Sequence, residues 1–161
     1  MVVIVMGVSG AGKTTVGKAL AESLGWRFLD ADDLHPQSNV AKMAAGVPLT
    51  DEDRWPWLAL VRGQLQTALE RGEDLVLASS ALKKAYRDQL EVDPQQTRWV
   101  YLNAPRAVLA SRLAKRHGHF MPPSLLDSQL ATLEVPTQAL EVDVSPPPPE
   151  VVARIREGLN L

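Results

Sequence analysis

Gly7-Val8-Ser9-Gly10-Ala11-Gly12-Lys13-Thr14 satisfies every constrained position of the G-x-x-x-x-G-K-[ST] pattern. The glycines allow a backbone turn in which successive N–H groups point inward at phosphate oxygens. A helix opening near Lys13 adds its positive end to the same place. Lys13 is expected to reach the β- and γ-phosphates and to be catalytic, and the Thr14 hydroxyl to ligate Mg²⁺. The expected nucleotide contacts are Gly7, Val8, Ser9, Gly10, Ala11, Gly12, Lys13, Thr14 and Thr15, with ATP and Mg²⁺ as the cofactors.

Three further observations separate phosphoryl transfer to a small acceptor from other uses of such a loop. The third apolar run ends Leu77-Ala78-Ser79-Ser80 without an acidic residue, so the usual Mg²⁺-side aspartate is missing there and the nearest replacements are Asp30 and Asp32. These two close the second strand, where ligands gather in an open α/β sheet. No N-K-x-D signature for guanine is present. Arg112 and Arg116 stand four apart, one helical turn, just before His117-Gly118-His119-Phe120. Arginines beside a mobile lid, expected over about 117–124, suit a phosphate whose charge must be covered during transfer. Both are expected to bind ATP, with Arg116 catalytic, although a solvated helix face is the plainer account of either one alone.

The elements that must position these residues follow from punctuation and periodicity. Val2 to Met6 reads as a strand buried on both faces, and a helix runs from about Lys13 to Leu24, stopped by Gly25. Arg27-Phe28-Leu29 is a second strand, Pro36 to Ala44 a helix, and Glu52 to about Arg71 a long helix capped by Asp51, with Pro56 near its first turn. Asp74 to Ala78, Arg98 to Leu102 and Leu140 to Val144 are further strands. Helices are expected over Ala81–Leu90, Pro105–His117, Leu125–Leu133 and Val151–Leu159. Strands alternating with helices predict an α/β fold: one domain over 1–161, a five-stranded parallel sheet with helices on both faces, and a substrate-binding helical region over about 34–71.

Composition narrows the partners. Seventeen basic and nineteen acidic side chains leave a formal net charge of -2. That balance gives no reason to expect nucleic acid or an anionic membrane. The chain has no cysteine, which excludes disulfides and thiolate metal sites. The opening apolar run is far too short to span a bilayer, and a cytoplasmic location is expected.

GVSGAGKT, then FLDADDLHP with Asn39, Lys42-Met43 and Gly46, then PLTDEDRWPWL, SSALKKAYRDQL and GHF resemble the bacterial gluconate kinases (gluconokinases) from Gly7 to Pro136. The phosphate loop is common to many families, and the run from LHP to PWL is far more specific. The resemblance implies transfer from ATP to the 6-hydroxyl of D-gluconate, a fold near the shikimate and nucleoside monophosphate kinases, and a homodimer. Ala31 stands where a glycine is frequent, and Leu130-Ala131 where an aromatic residue is common.

Roles follow from the resemblance joined to the chemistry of the acceptor. Asp32 is expected beside the 6-hydroxyl, orienting it or taking its proton, and Asp30 nearer Mg²⁺ through water, a division taken from the similarity to shikimate kinases. Arg54 is the expected partner of the substrate carboxylate because guanidinium binds it bidentately. The plain alternative is an i, i+3 pair with Asp51. His35 and Asn39 lie one helical turn apart and are candidates for polyol hydroxyls, with capping of the helix as the other reading of His35. Lys42 is a substrate-side candidate or an exposed charge. Lys83 is the residue of Lys83, Lys84 and Arg87 expected to reach substrate, the other two being read as surface charges. His119 and Phe120 are candidates to close over adenine or substrate. A shikimate kinase is disfavoured because SSALKK replaces that family's glycine triplet; a non-catalytic ATP-binding module would need neither Asp32 nor a basic lid.

Overall fold

In the computed structural model, which describes residues 1–115 and 123–161, β1 (Val2–Met6) is central in a five-stranded sheet ordered β2-β3-β1-β4-β5. The other strands are β2 (Arg27–Asp30), β3 (Leu75–Ala78), β4 (Thr97–Asn103) and β5 (Leu140–Asp143), and every pairing is parallel. Parallel neighbours need crossover helices, which cover both faces and explain the apolar character of the central strands. All five residues of β1 are buried. Val3 and Val5 face one core with Val16 and Leu20 of α1 (Lys13–Leu24), Leu109 of α5 (Arg106–Ala114) and Ile155 of α7 (Pro148–Leu159). Val2, Ile4 and Met6 face the other, against Trp57, Val61 and Leu65 of α3 (Asp51–Glu70) and Leu90 of α4 (Lys84–Leu90). Each fully buried aliphatic side chain contributes about 1.5–3 kcal/mol to holding helix against sheet.

The topology directs chemistry to one edge. β1 leads straight into the glycine loop, and β2 ends on Asp30 at the same edge, in register with Ala78 of β3. Gly12 precedes α1 with φ 81°, in the left-handed region, and carries no capping side chain. The first N–H groups of α1 therefore have no cap of the ordinary kind. Gly10 is also left-handed (φ 87°), and a Cβ there would lie 2.9 Å from the Leu109 carbonyl oxygen.

Several boundaries differ from the sequence reading. Thr50, rather than Asp51, caps α3: its side chain accepts the Asp53 N–H, and Asp53 returns the bond to Thr50 N–H, a complete capping box. Asp51 is thereby the first helical residue, with its carboxylate left for other partners. Pro56 lies inside the helix, in its second turn, where its missing N–H leaves one rung unmade. The helix expected from Ala81 starts at Lys84, because Ala81 adopts a positive φ of 45° that no α-helix contains. α2 (Gln37–Ala44) and α5 each begin just after a proline, and α7 starts at Pro148, three residues earlier than expected, since proline is pre-set for a first helical position. α6 covers Pro123–Thr132. No helix among the described residues is long and apolar enough to cross a membrane.

Candidate active site

The glycine loop and the start of α1 bring Lys13 and Thr14 to the carboxyl edge of the sheet. Thr14 Oγ1 donates to Asp30 Oδ2 at 2.8 Å, joining the first turn of α1 to the end of β2. The other Asp30 oxygen accepts the Asp32 N–H at 3.0 Å and so caps the short 3-10 turn Ala31–Leu34. Both Asp30 oxygens are engaged, which fixes the direction of the following residues. Lys13 Nζ donates to the Val8 carbonyl at 3.2 Å, folding the lysine back over its own loop.

Asp32 stands at the mouth of the cleft. Enclosure by the cleft raises its pKa, Asp30 adds to the rise, and Lys13 and His35 oppose it. The side chain is nevertheless 73 % exposed, so water screens much of that rise. His35 is its inner neighbour, with Nε2 4.0 Å from Asp32 Oδ1 and a side chain only 5 % exposed. Burial lowers the His35 pKa, Arg54 lowers it further, and Asp32 acts the other way. The neutral ring stacks on Trp57 with centroids 4.1 Å apart, and Trp57 Nε1 donates to the Ala31 carbonyl at 2.7 Å. Asn39 settles the tautomer. Its Nδ2 donates to the Asp53 carbonyl (2.9 Å) and lies 3.2 Å from His35 Nδ1, which therefore accepts and leaves the hydrogen on Nε2, toward Asp32.

Asn39 is 2 % exposed and has both amide hydrogens committed, so it ties α2 to α3 instead of facing solvent as a polyol ligand would. Lys42 Nζ binds both Asp53 oxygens at 2.8 Å. That contact, with the Thr50 N–H, brings the Asp53 pKa down to about 2. Arg54 Nη1 donates to the Leu49 carbonyl at 2.9 Å, lies 3.8 Å from Asp51 Oδ1 and sits over the Tyr86 ring. The i, i+3 pairing is thus present, and Lys83 shares both Asp51 and the Tyr86 ring with the arginine. Lys83 Nζ is 3.4 Å from Asp51 Oδ1 and 5.6 Å from the centre of the Tyr86 ring, whose hydroxyl donates to Asp51. Two cations and one carboxylate converge there, leaving the corner net positive.

Arg112 donates to the Ser145 carbonyl at 3.3 Å and lines a groove with Gly12, Thr15, Val144, Pro146 and Val151. A second groove on the same edge, at Asn103, Glu141 and Asp143, bears carboxylates and is unsuited to phosphate. Arg116 and the expected lid, including His119 and Phe120, lie outside the described residues, apart from the start of α6.

The sequence reading did not single out Gln129, Tyr86, Glu134, Asp51 or Asp53 for the site. Gln129 Oε1 accepts the Ser9 N–H at 2.7 Å and Nε2 donates to Ser9 Oγ at 3.0 Å, across 120 positions of chain that no local pattern spans. Arg87, read as a surface charge, is only 9 % exposed and donates to the carbonyls of Ala81, Leu82 and Glu134. Ser79, where an acidic residue was missed, is 2 % exposed, and its hydroxyl has no hydrogen-bond partner among the described residues.

A hydroxyl-bearing phosphate loop facing paired carboxylates is the equipment of a P-loop kinase, and comparison with known proteins agrees. The family model described as an AAA domain matches residues 2–136. The gluconokinase of Gluconobacter oxydans is 55% identical over 133 residues, which cover 83% of this chain and 75% of that protein. The crystal structure of a gluconokinase from Sinorhizobium meliloti has a TM-score of 0.88 at 46% identity, covering 98% of this chain and 90% of the other. The shikimate kinase of Bacteroides thetaiotaomicron shares the fold, with a TM-score of 0.66 at 22% identity over 100% of this chain and 99% of its own. On the phosphate loop, the architecture and these matches together, the chain belongs to the gluconokinase family of P-loop kinases.

Proposed function

We propose that this protein transfers the γ-phosphoryl group of ATP to the 6-hydroxyl of D-gluconate. The observation that carries the reading is a chain of contacts from the phosphate loop to the start of α3. Thr14, beside Lys13, binds Asp30, which holds the turn carrying Asp32; Asp32 lies 4.0 Å from His35, and Asn39 joins His35 to the helix that bears Arg54. A phosphate-binding cation thus stands at one end and a carboxylate-binding cation at the other. An acceptor with a hydroxyl at one end and a carboxylate at the other matches that polarity.

The residues present fit the cofactors. Thr14 spends its proton on Asp30, which leaves its oxygen lone pairs for a hard cation, and Asp30 is placed to hold a water of the same ion. Bound there, Mg²⁺ would neutralise charge on the phosphate oxygens. Gly10 and Gly12 both hold the left-handed backbone that the loop needs, and the groove at Arg112 offers apolar walls and a guanidinium plane to adenine.

In the transfer, Lys13 stabilises the γ-phosphate as charge develops on its oxygens. Asp32 orients the 6-hydroxyl and receives its proton while the oxygen–phosphorus bond forms and the bond to the β-phosphate oxygen breaks. Arg54 and Lys83 hold the far carboxylate, which sets which hydroxyl meets the phosphate. His35 presents Nε2–H to Asp32 and keeps it oriented. We further propose a cytoplasmic homodimer, which sedimentation of the purified protein would test.

A coupled assay of ADP release against gluconate, 2-ketogluconate, shikimate and nucleoside monophosphates tests the reaction. Turnover confined to gluconate is expected. Turnover with another acceptor would discard the acceptor assignment, and turnover with none would remove the kinase reading.

A further inference from the structure

We infer that Glu134 and Gln129 are positioning residues for the two substrates: one strap, the end of α6 and the residues after it, fixes both Lys83 and the phosphate loop. The half concerning Lys83 rests on the acceptor role given to it above.

Lys83 occupies the cap position of α4 with an extended backbone; its ammonium has no acceptor with which to cap the helix, and it donates to Asp51 instead. A helix begun this way leaves its first N–H groups without the usual partner. Glu134 supplies one from outside, its Oε1 accepting the Lys84 N–H at 3.0 Å, and its negative charge suits the helix start. The Glu134 N–H donates to the Leu82 carbonyl at 2.8 Å. Its own carbonyl accepts from Arg87, which also binds the carbonyls of Ala81 and Leu82. Glu134 thus grips the residues on both sides of Lys83, next to the positive-φ turn at Ala81, and supplies the acceptor that the lysine lacks.

At the other end of the strap, Gln129 reads both polar groups of Ser9 at once. That pair fixes the loop one residue before Gly10, whose geometry admits no side chain. The Leu133 N–H donates to the Gln129 carbonyl at 2.9 Å, so the helical turn joins the two anchors without a break. Arg106 pins the same helix through a bidentate contact with Asp127.

The test uses the full chain and the variants Glu134→Ala, Glu134→Gln, Gln129→Ala and Lys83→Met. The readouts are KM for gluconate, kcat, ATP affinity by calorimetry and the thermal midpoint. Glu134→Ala is expected to raise gluconate KM about five- to tenfold with ATP affinity unchanged, and Glu134→Gln, which keeps an acceptor oxygen, to restore most of the loss. Gln129→Ala is expected to weaken ATP about five- to tenfold while gluconate KM at saturating ATP stays put. Should Glu134→Ala not fold, Glu134→Asn reads the same contact with a shorter side chain. A fall in thermal midpoint with both constants unchanged would overturn the inference in favour of a purely structural strap. So would a Lys83→Met variant with unaltered gluconate KM beside a Glu134→Ala variant whose KM rises. If the wild type fails to phosphorylate gluconate, the acceptor reading falls, and ATP binding by Gln129→Ala still decides the loop half: weakened supports it, unchanged overturns it.

Discussion

The imidazole of His35 lies on the indole of Trp57 at an interplanar angle of 17°, and the indole N–H fastens the turn that carries Asp32 by donating to the Ala31 carbonyl. One side chain of α3 thus supports two residues of the acceptor side. Trp57→Phe keeps an aromatic face for His35 but removes the indole hydrogen bond to that buried carbonyl. It is expected to cost about 0.5–1.5 kcal/mol of stability in urea unfolding and to raise gluconate KM. A variant with wild-type stability would show that the bond contributes nothing.

Arg54 gives a cleaner separation of binding from chemistry. Its guanidinium is held by the Leu49 carbonyl and the Tyr86 ring, outside the phosphate loop. Arg54→Lys keeps the charge and loses the planar fork. Gluconate KM is expected to rise about tenfold, equivalent to about 1.4 kcal/mol, with kcat and ATP affinity held. An unchanged KM would remove Arg54 from the acceptor site.

The frame of the molecule was legible where a local pattern dictates it. β1 and α1 have the expected bounds, because a β-branched run, a glycine loop and a left-handed Gly25 leave the backbone few choices. The start of α4 was not legible, since alanine gives no warning of a positive φ sustained by Arg87 from outside. The phosphate-loop half of the site was readable for the same local reason. The acceptor half was readable only as a set of residue types. That Asn39 spends its amide on Asp53 and His35, and Lys42 its charge on Asp53, depends on how α2 meets α3, which spacing along the chain does not encode.

Asp53 makes the fold sensitive to acid. Its pKa falls from 3.8 to about 2, first through the Lys42 contact and then through the Thr50 N–H. A folded-state pKa below the unfolded one means the contribution is complete above 3.8 and is lost as pH falls toward about 2. Asp53→Asn should therefore lower the urea midpoint at neutral pH and flatten its fall across that acid window. Parallel curves for variant and wild type would show that the pair contributes no linkage.

Ser79 carries a buried hydroxyl without a partner among the described residues. Such a group costs about 1–3 kcal/mol to keep dry. Ser79→Ala is expected to raise the thermal midpoint with kcat unchanged. A fall in kcat would instead place the hydroxyl in the reaction, beside Thr14 and Asp30.

Two glycine-to-alanine changes should have opposite signs. Gly63 lies in α3 with nothing within 4 Å of the position a Cβ would take, and its conformation is helical. Alanine there reduces the freedom of the unfolded chain and adds helix propensity, so Gly63→Ala is expected to stabilise by about 0.5–1 kcal/mol. Gly10 combines φ 87° with a Cβ position 2.9 Å from the Leu109 carbonyl and 3.0 Å from Leu113 Cγ. Neither the left-handed backbone nor the carbonyl can give way without moving the phosphate loop off α5. Gly10→Ala should therefore lose stability and ATP affinity together, read by thermal unfolding with and without nucleotide. A Gly10→Ala protein that still gains the wild-type shift on adding ATP would mean that the loop tolerates a side chain, and that the tight approach to Leu109 is not what shapes the site.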